Sequence, residues 1–515
     1  MKFSFKIAVL CLITAVFVLP GCNKKREYSK KTGWVYNNPE EGFFSLTTAY
    51  HGKCPNGMVY VPVATSIRGQ NDDMVSANEN NDKKRVATSS FYMDIYEVTN
   101  ENWREYFSWM EIVFRHDPRQ VVLALPDETV WRRELAYNEP YVRDYYTHVA
   151  YNNYPVVGVS WKQATEYCSW RTDRINENEL IRRGILPYKS PATINQQLID
   201  YEIPSDSAFK FYFTSKHARA YVTNLNLNPD EAGDEVYFEP DLRYDINGDE
   251  EIDEGEWRVA LDGVLFDAEI RLPTEVEWEY AAYGLHTSDG AYLQTNQYPW
   301  QGEQLREFHD KKLRGKFYAN FLRGRGDPIG IQVNGTLTVP VNFFQPNGFG
   351  LYNMAGNVNE WVKDVYRADV NNVDEVNSYR GNQFESDSVY ANDILTKHFA
   401  YLPEEQRDSM KSVLISERGI IKTGGDYRDF KDGDKKSSLA DSILVYKDMT
   451  PIEQANMISN TARVYKGGGW NDRAIWLNPS NRRSLEETRC RNDIGFRCVM
   501  SAVGGYEHSR ELIRE

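Results

Sequence analysis

The chain has 515 residues, 41% of them hydrophobic and 13% aromatic, which is enough to bury a large core. A formal net charge of −15 argues against sequence-independent binding of nucleic acid, because such binding needs a basic face. After the N-terminal segment no apolar run is long enough to span a bilayer, so the remainder is predicted to be soluble.

The N-terminal residues predict export and lipid attachment. A basic start precedes an apolar run over residues 7–19, which suits a signal-peptide core and is too short to cross a membrane. The run leads to Gly21 and Cys22 in a pattern that resembles the lipobox of bacterial lipoproteins. The alternative is an ordinary signal peptide that contains a cysteine, but the polar residues 23–26 favour the lipobox. We therefore predict a signal peptide over residues 1–21 and acyl chains on Cys22, which hold a protein on a membrane stably when two or more are present.

The next part of the chain is predicted to be a tether followed by strands. Residues 22–56 lack hydrophobic periodicity and are typical of a tether. Strand patterns occupy residues 58–62 and 91–96, and a polar loop that ends at Lys84 lies between them.

Helices and a buried strand are predicted further along. Thr99 or Asn100 is the expected N-cap of a helix over residues 101–110. Residues 154–161 have the pattern of a buried strand, and residues 162–171 that of a short helix.

A capping box begins the last predicted helix. Thr274 and Glu277 have the required spacing, and Trp278, Ala281 and Ala282 follow on one helical face. Many short elements with irregular connections indicate a loop-rich α+β fold.

Six sequence blocks, in the same order, resemble those of the formylglycine-generating-enzyme (sulfatase-modifying-factor) family. They are residues 57–62, 92–100, 155–161, 271–279, 347–361 and 494–498. The resemblance implies an α+β, C-type-lectin-related domain over residues 57–502, with long insertions at about 174–270 and 364–462 and a C-terminal tail over residues 503–515. Insertions of that length are usually functional or disordered.

Other stretches resemble one subgroup of that family, the gliding-motility lipoproteins associated with type IX secretion in Bacteroidetes. They are residues 31–37, 127–131, 136–139 and 154–176. The resemblance implies an outer-membrane lipoprotein whose partners are other secretion and gliding lipoproteins and translocon components. The basic residues 24–26 favour the periplasmic face of that membrane. A divergent oxidoreductase and a ligand-binding module are the alternatives.

The catalytic chemistry of the family is not expected here. In the enzymes two cysteines hold copper, for which soft thiolates are suited. The matching positions are Asp472 and Leu477, and no cysteine lies between Cys168 and Cys490. The eight histidines are scattered and form no spaced pair that would indicate another metal centre. Residues 467–469 are three glycines and are interpreted as a place of close backbone packing.

One acidic loop resembles a calcium-binding EF-hand loop over residues 245–256. Its oxygen ligands would be Asp245, Asn247, Asp249, Glu251, Asp253 and Glu256. Glu250 replaces the usual glycine, and the alternative is a solvated acidic loop.

The family resemblance also implies two structural calcium sites. The first maps onto Asn353, Gly356, Val358 and Glu360. The second maps onto Asn320 and Phe321, and either Asp327 or Asn334 completes it.

Four cysteines remain in the mature chain if Cys22 is acylated, an even number that suits an oxidising compartment. The resemblance implies a disulfide between Cys168 and Cys498. A second bridge between Cys54 and Cys490 is left open.

Overall fold

The computed structural model describes all six of the sequence blocks that resemble the family. The residues described are 31–33, 54–69, 83–132, 137–182, 188–201, 212–215, 269–284, 297–300, 303–308, 310–323, 337–366 and 461–503. The predicted signal peptide with Cys22, the EF-like loop 245–256, Asp327 and Asn334, most of both insertions and most of the tail lie outside them.

Four strands form the first sheet. They are β1 (Met58–Val61), β4 (Phe91–Asp94), β5 (Ile270–Arg271) and β10 (Val499–Ser501), in the order β1-β4-β10-β5. All neighbours are antiparallel, and Tyr92 is opposite Tyr60 on one side and Met500 on the other. The sheet therefore joins segments from both ends of the domain.

A second sheet flanks the segment that contains Asp472 and Leu477, which connects two of its strands. Its strands are β6 (Asn359–Val365), β7 (Ala462–Lys466), β8 (Arg483–Glu486) and β9 (Ile494–Gly495), in the order β8-β7-β6-β9. Strand β9 runs parallel to β6, and the other pairs are antiparallel. A separate antiparallel pair consists of β2 (Ala64–Arg68) and β3 (Lys84–Thr88), so the predicted polar loop begins and ends in paired strands.

Six α-helices lie in the described residues: α1 (Asn100–Val113), α2 (Pro118–Leu123), α3 (Glu139–Asp144), α4 (Trp161–Arg182), α5 (Pro191–Asp200) and α6 (Glu275–Tyr283). Single 3-10 turns occupy Glu128–Trp131, Val149–Tyr151 and Ala474–Leu477. Thr99 caps α1, and its side chain accepts from the backbone of Asn102 in a capping box. Thr274 and Glu277 cap α6 in the same way, as predicted.

The predicted strand over residues 154–161 is wrong. The segment is mostly buried, but its hydrogen bonds go to separate places: Val156 N–H donates to Val98 and Gly158 N–H to Arg491. Gly158 has φ +74°, and a Cβ there would lie 2.4 Å from the carbonyl oxygen of Asp127. The segment therefore packs closely against neighbouring backbone and does not form the regular hydrogen-bond ladder of a β-strand.

Helix α4 is much longer than the predicted helix over residues 162–171. It continues to Arg182, so the first predicted insertion starts inside a helix. Asn176 donates to Ser215, and Arg174 donates to the carbonyl group of Phe213. These contacts bury the second half of α4 against residues 212–215, which periodicity over its first half could not show.

Aromatic side chains form the centre of the core between α1, α4 and β9. Trp103 stacks on Tyr167 with ring centroids 5.4 Å apart and meets Phe496 edge-on at 5.9 Å. All three side chains are buried. Within the described residues no helix combines the length and the apolar character needed to cross a bilayer.

Candidate functional site

The glycine segment after β7 passes close to neighbouring backbone. Gly468 has φ +69°, and a Cβ there would lie 2.8 Å from the carbonyl oxygen of Trp476. Gly467, with φ +94°, would place a Cβ 3.0 Å from the ring of Trp278. The interpretation of this segment as close backbone packing is therefore confirmed.

Asp472 follows this segment and is held by four hydrogen bonds. Arg483 donates to both carboxylate oxygens at 2.7 Å. The amide of Asn359 and the backbone N–H of Gly469 each donate to Oδ2 at 2.9 Å. Burial acts to raise the pKa of Asp472, but the hydrogen bonds and the charge of Arg483 outweigh it, so the pKa lies below its ordinary value.

Aromatic rings fix the guanidinium that pairs with Asp472. Arg483 lies 4.4 Å from the ring centroid of Trp476 and 4.8 Å from that of Tyr465. It also donates to the side-chain oxygen of Asn359. The position that the family resemblance assigns to a cysteine thus holds a carboxylate whose charge is balanced within the fold.

Leu477 fills the second of these positions with an alkyl group. It is fully buried and packs in a hydrophobic cluster with Tyr298, Ala319, Phe321 and Ala355. An alkyl side chain offers no electron pair to a metal, and its role here is packing.

A second buried ion cluster lies at the end of β7. Lys466 Nζ, fully buried, donates to Glu275 at 2.8 Å and to Glu279 at 2.6 Å. Arg482 also pairs with Glu275 at 2.8 Å. The two positive charges of this cluster therefore balance its two carboxylates. Sequence reasoning missed the cluster because the partners of Lys466 lie on α6 and Arg482 lies just before β8.

The two predicted family calcium sites lie side by side. A Cβ on Gly356 would lie 2.6 Å from the carbonyl oxygen of Asn320, which belongs to the other site. Asn353 and Asn320 are both buried, and the Oδ1 atom of each has no hydrogen-bond partner. The NH2 groups of the same side chains do have partners: Asn353 Nδ2 donates to Glu97 at 2.8 Å, and Asn320 Nδ2 donates to the carbonyl group of Leu337 at 2.9 Å.

Carboxylates beside these asparagines exceed the available positive charge. Glu360 is bound by Arg497 at 2.7 and 2.6 Å and by the indole N–H of Trp278 at 2.7 Å. Burial, and then the charge of Glu360, raise the pKa of Glu97 to about 8, while Arg497 opposes the shift. Sequence reasoning missed Glu97, although it lies in one of the six family blocks.

The oxygen atoms of these residues are of the kind that binds calcium. Two buried amide oxygens have no partner, and Arg497 pairs with Glu360 whereas Glu97 accepts only from amide groups in the described residues, so an oxygen-seeking cation would satisfy both needs. Val358 and Phe321, the remaining described members of the two predicted sites, are both buried, and their side chains pack in two different hydrophobic clusters. No group of three or more His, Cys, Asp or Glu side chains in the described residues is arranged to hold a metal ion.

The two cysteines predicted to form a disulfide meet in the core. Sγ of Cys168 lies 3.5 Å from Sγ of Cys498, and both residues are buried. The backbone N–H of Cys498 donates to Asp94, which pairs with Arg171 at 2.7 Å. The contact brings the sulfur atoms together as free thiols, and the covalent bond stays a prediction.

The other two cysteines have different neighbours. Cys54 Sγ donates to the carbonyl group of Met58 at 3.3 Å, and Cys490 Sγ lies 3.7 Å from the carboxylate of Asp127. Burial and the charge of Asp127 raise the pKa of Cys490 to about 11, so its thiol is a weak nucleophile. Of the histidines, the two in described residues have separate local roles: His116 contacts Asn195, and His148 caps a 3-10 turn.

The sequence matches the sulfatase-modifying factor enzyme 1-like domain over residues 47–502. The chain therefore belongs to this family, and the expected loop-rich α+β fold is confirmed.

Curated relatives share a shorter stretch of the chain. The formylglycine-generating enzyme of Thermomonospora curvata is 44% identical over 100 residues, which are 19% of this chain and 28% of that protein. The inactive C-alpha-formylglycine-generating enzyme 2 of Bos taurus is 38% identical over 99 residues, 19% of this chain and 28% of that protein. The chain thus spans about a quarter of the length of the relatives it matches.

Solved structures resemble the chain over more of its length at low identity. Treponema denticola variable protein 1 is 17% identical and covers 86% of this chain and 94% of its own, with a TM-score of 0.36. PvdO from Pseudomonas aeruginosa is 14% identical with the same coverage and a TM-score of 0.37.

Proposed function

We propose that this chain is a non-catalytic lipoprotein of the outer membrane and a structural component of the type IX secretion and gliding-motility machinery. Its sequence blocks resemble the gliding lipoprotein GldJ of Bacteroidetes, with the sister lipoprotein GldK/PorK next. The body is a member of the sulfatase-modifying factor family that has been adapted to a scaffold role.

The observation that best supports a non-catalytic role is the set of hydrogen bonds that the carboxylate of Asp472 accepts. All four of its hydrogen bonds are internal, and they join three separate segments: β6, the glycine segment and β8. A group that takes part in turnover has to exchange partners with a substrate. Asp472 is committed to the fold, and Leu477 is packed in the core.

An activity assay tests the non-catalytic part of the proposal. The purified full chain, supplied with copper, is incubated with a cysteine-containing sulfatase peptide, and the product is measured by mass spectrometry. The Thermomonospora curvata enzyme is the positive control. We expect the substrate cysteine to stay unchanged, and formylglycine formation would overturn the proposal.

Affinity purification from detergent-solubilised membranes tests the assembly part. We expect other gliding lipoproteins and translocon components to co-purify with the tagged chain. The Cys22→Ala variant, which cannot be acylated, is the matched control and should recover less of this set. Recovery of none of these components above a mock purification would count against the assembly role.

Calcium is proposed as a structural ion of the same body. Asn353 and Asn320 would supply the two amide oxygens that have no partner, and Glu97 and Glu360 the compensating charge. The ion would contribute stability by binding only the folded state, with no part in any reaction. The EF-like loop 245–256 is proposed as a second, independent calcium site on sequence grounds alone.

A further inference from the structure

A basic hairpin interrupts the acidic surface of this chain. Residues 310–316 carry four basic side chains and one acidic one, whereas the whole chain has a net charge of −15. The four basic residues, Lys311, Lys312, Arg314 and Lys316, are all exposed. None of them forms an ion pair with any part of the chain that the structure describes.

Backbone hydrogen bonds close this hairpin at its tip. Glu307 N–H donates to the carbonyl group of Lys316 at 2.9 Å, and Gly315 N–H donates to that of Glu307 at 2.7 Å. Gly315 has φ +83°, which a residue with a Cβ adopts only under strain. Asp310, the one acid at the tip, accepts from the backbone N–H of Lys312 at 2.8 Å. The tip therefore has a defined shape.

The base of the hairpin is stiffened by aromatic and cationic side chains. Trp300 stacks between Tyr298 and Tyr318, with ring centroids 5.0 and 5.2 Å away. Arg306 and Arg323 lie 4.2 and 4.6 Å from the ring centroid of Phe317. This support reduces the conformational entropy that the tip would lose when it binds a partner.

Apolar side chains accompany the charges at the tip. Phe308 is 49% exposed, and Leu313 is half-buried beside the lysines. Aromatic rings next to lysine and arginine suit the boundary between the headgroups and the acyl chains of a membrane. A single hairpin tip is also much smaller than a standard protein interface, which takes about 20–30 residues from each partner.

We infer that the tip of this hairpin, with Phe308, Lys311, Lys312, Arg314 and Lys316, docks on an anionic bilayer surface. The basic side chains would lie among the negatively charged headgroups, and Phe308 would enter the interface. This inference rests on the proposed membrane location, because only there does the tip meet a bilayer.

Vesicle binding tests the inference on the full chain. All samples carry Cys22→Ala, so that acylation does not contribute. Binding is measured by co-sedimentation with vesicles of phosphatidylcholine alone and with vesicles of equal parts phosphatidylcholine and phosphatidylglycerol. Neutral vesicles report any contribution of the apolar N-terminal run, and the excess on anionic vesicles reports the charged surface.

Two variants and a control separate the hairpin from the rest of the chain. Each basic residue near an anionic surface contributes roughly a fivefold increase in partitioning, so Lys311→Glu with Lys312→Glu should lower the anionic excess more than tenfold. Phe308→Ser should lower binding about threefold. The matched control, Arg115→Glu with Arg119→Glu, changes net charge equally at exposed positions on other elements and should alter binding less than twofold.

The result that overturns the inference is equally definite. Wild-type binding by the Lys311 and Lys312 variant, or an equal loss in the control, would show that the hairpin is not the contact. If this variant binds vesicles as the wild type does, and lysine-directed crosslinking of the wild type in membranes joins the tip to an acidic protein, the tip contacts a protein partner instead. The proposed membrane location is tested separately, by whether Cys22→Ala leaves the outer-membrane fraction in cells. The vesicle assay does not depend on acylation, so the two proposals can fail independently.

Discussion

Replacing Asp472 by Ala should destabilise the domain substantially. The change removes the carboxylate from Arg483, whose side chain is only 16% exposed, and also takes partners from Asn359 and Gly469. Breaking a buried ion pair from one side costs about 3–5 kcal/mol. Because Arg483 keeps some solvent access, we expect the low end, about 3 kcal/mol.

Urea unfolding followed by tryptophan fluorescence measures this loss. The matched control is Asp144→Ala, which removes a carboxylate from the exposed pair with Arg143 and should leave the unfolding midpoint unchanged. The pKa of Asp472 is lowered in the folded state, so its contribution is fully present above the ordinary carboxyl pKa of about 4. The contribution is lost as pH falls through the lowered value, where wild type and variant should converge.

A double-mutant cycle shows whether the lost energy belongs to the pair. Asp472→Ala in an Arg483→Leu background should cost much less than in the wild type, because the buried guanidinium is no longer left unpaired. A change in unfolding free energy below about 0.5 kcal/mol for Asp472→Ala alone would refute the reasoning, since that is the size of an ordinary surface substitution.

Four further outcomes are expected. Calcium should raise the melting temperature of the wild type, and Asn353→Ala should reduce this shift; an unaltered melt in excess chelator would contradict the calcium proposal. Cys22→Ala should abolish labelling by an alkyne fatty acid and release the protein from the outer-membrane fraction, and unchanged labelling would remove the anchor. In protein purified without reductant, Cys168 and Cys498 should resist alkylation after unfolding, and reduction should cost on the order of 5 kcal/mol for so long a closed loop; free thiols at both sites would disprove the bridge. Both predicted bounds of the second insertion, 364 and 462, lie inside the paired strands β6 and β7. Deletion of residues 367–460, which spares these strands, should leave a folded protein, checked by circular dichroism, that no longer supports secretion, and normal secretion would count against a contact role for this insertion.

The helix starts could be predicted from the sequence because their causes are local. At Thr99 and Thr274 the cap and its partner are three residues apart, so the hydrogen bonds are specified by the chain itself. The same holds for the resemblance to the family, since its blocks are contiguous stretches. Asp472 and Leu477 could be located in this way, and so could the positions of the calcium motif.

What surrounds those positions was decided by tertiary structure. The partners of Asp472 include Asn359, which is 113 residues away, and the partners of Lys466 lie 187 and 191 residues away on α6. No periodicity reports such pairs, because the contacts depend on how β6, β7 and α6 come together. The misassigned strand over residues 154–161 has the same origin: its apolar pattern indicates burial, but its hydrogen-bond partners come from three distant segments. Local chemistry thus determined where helices begin and which residues occupy the family's motif, while the charge balance that makes Asp472 part of the fold exists only once the distant segments meet.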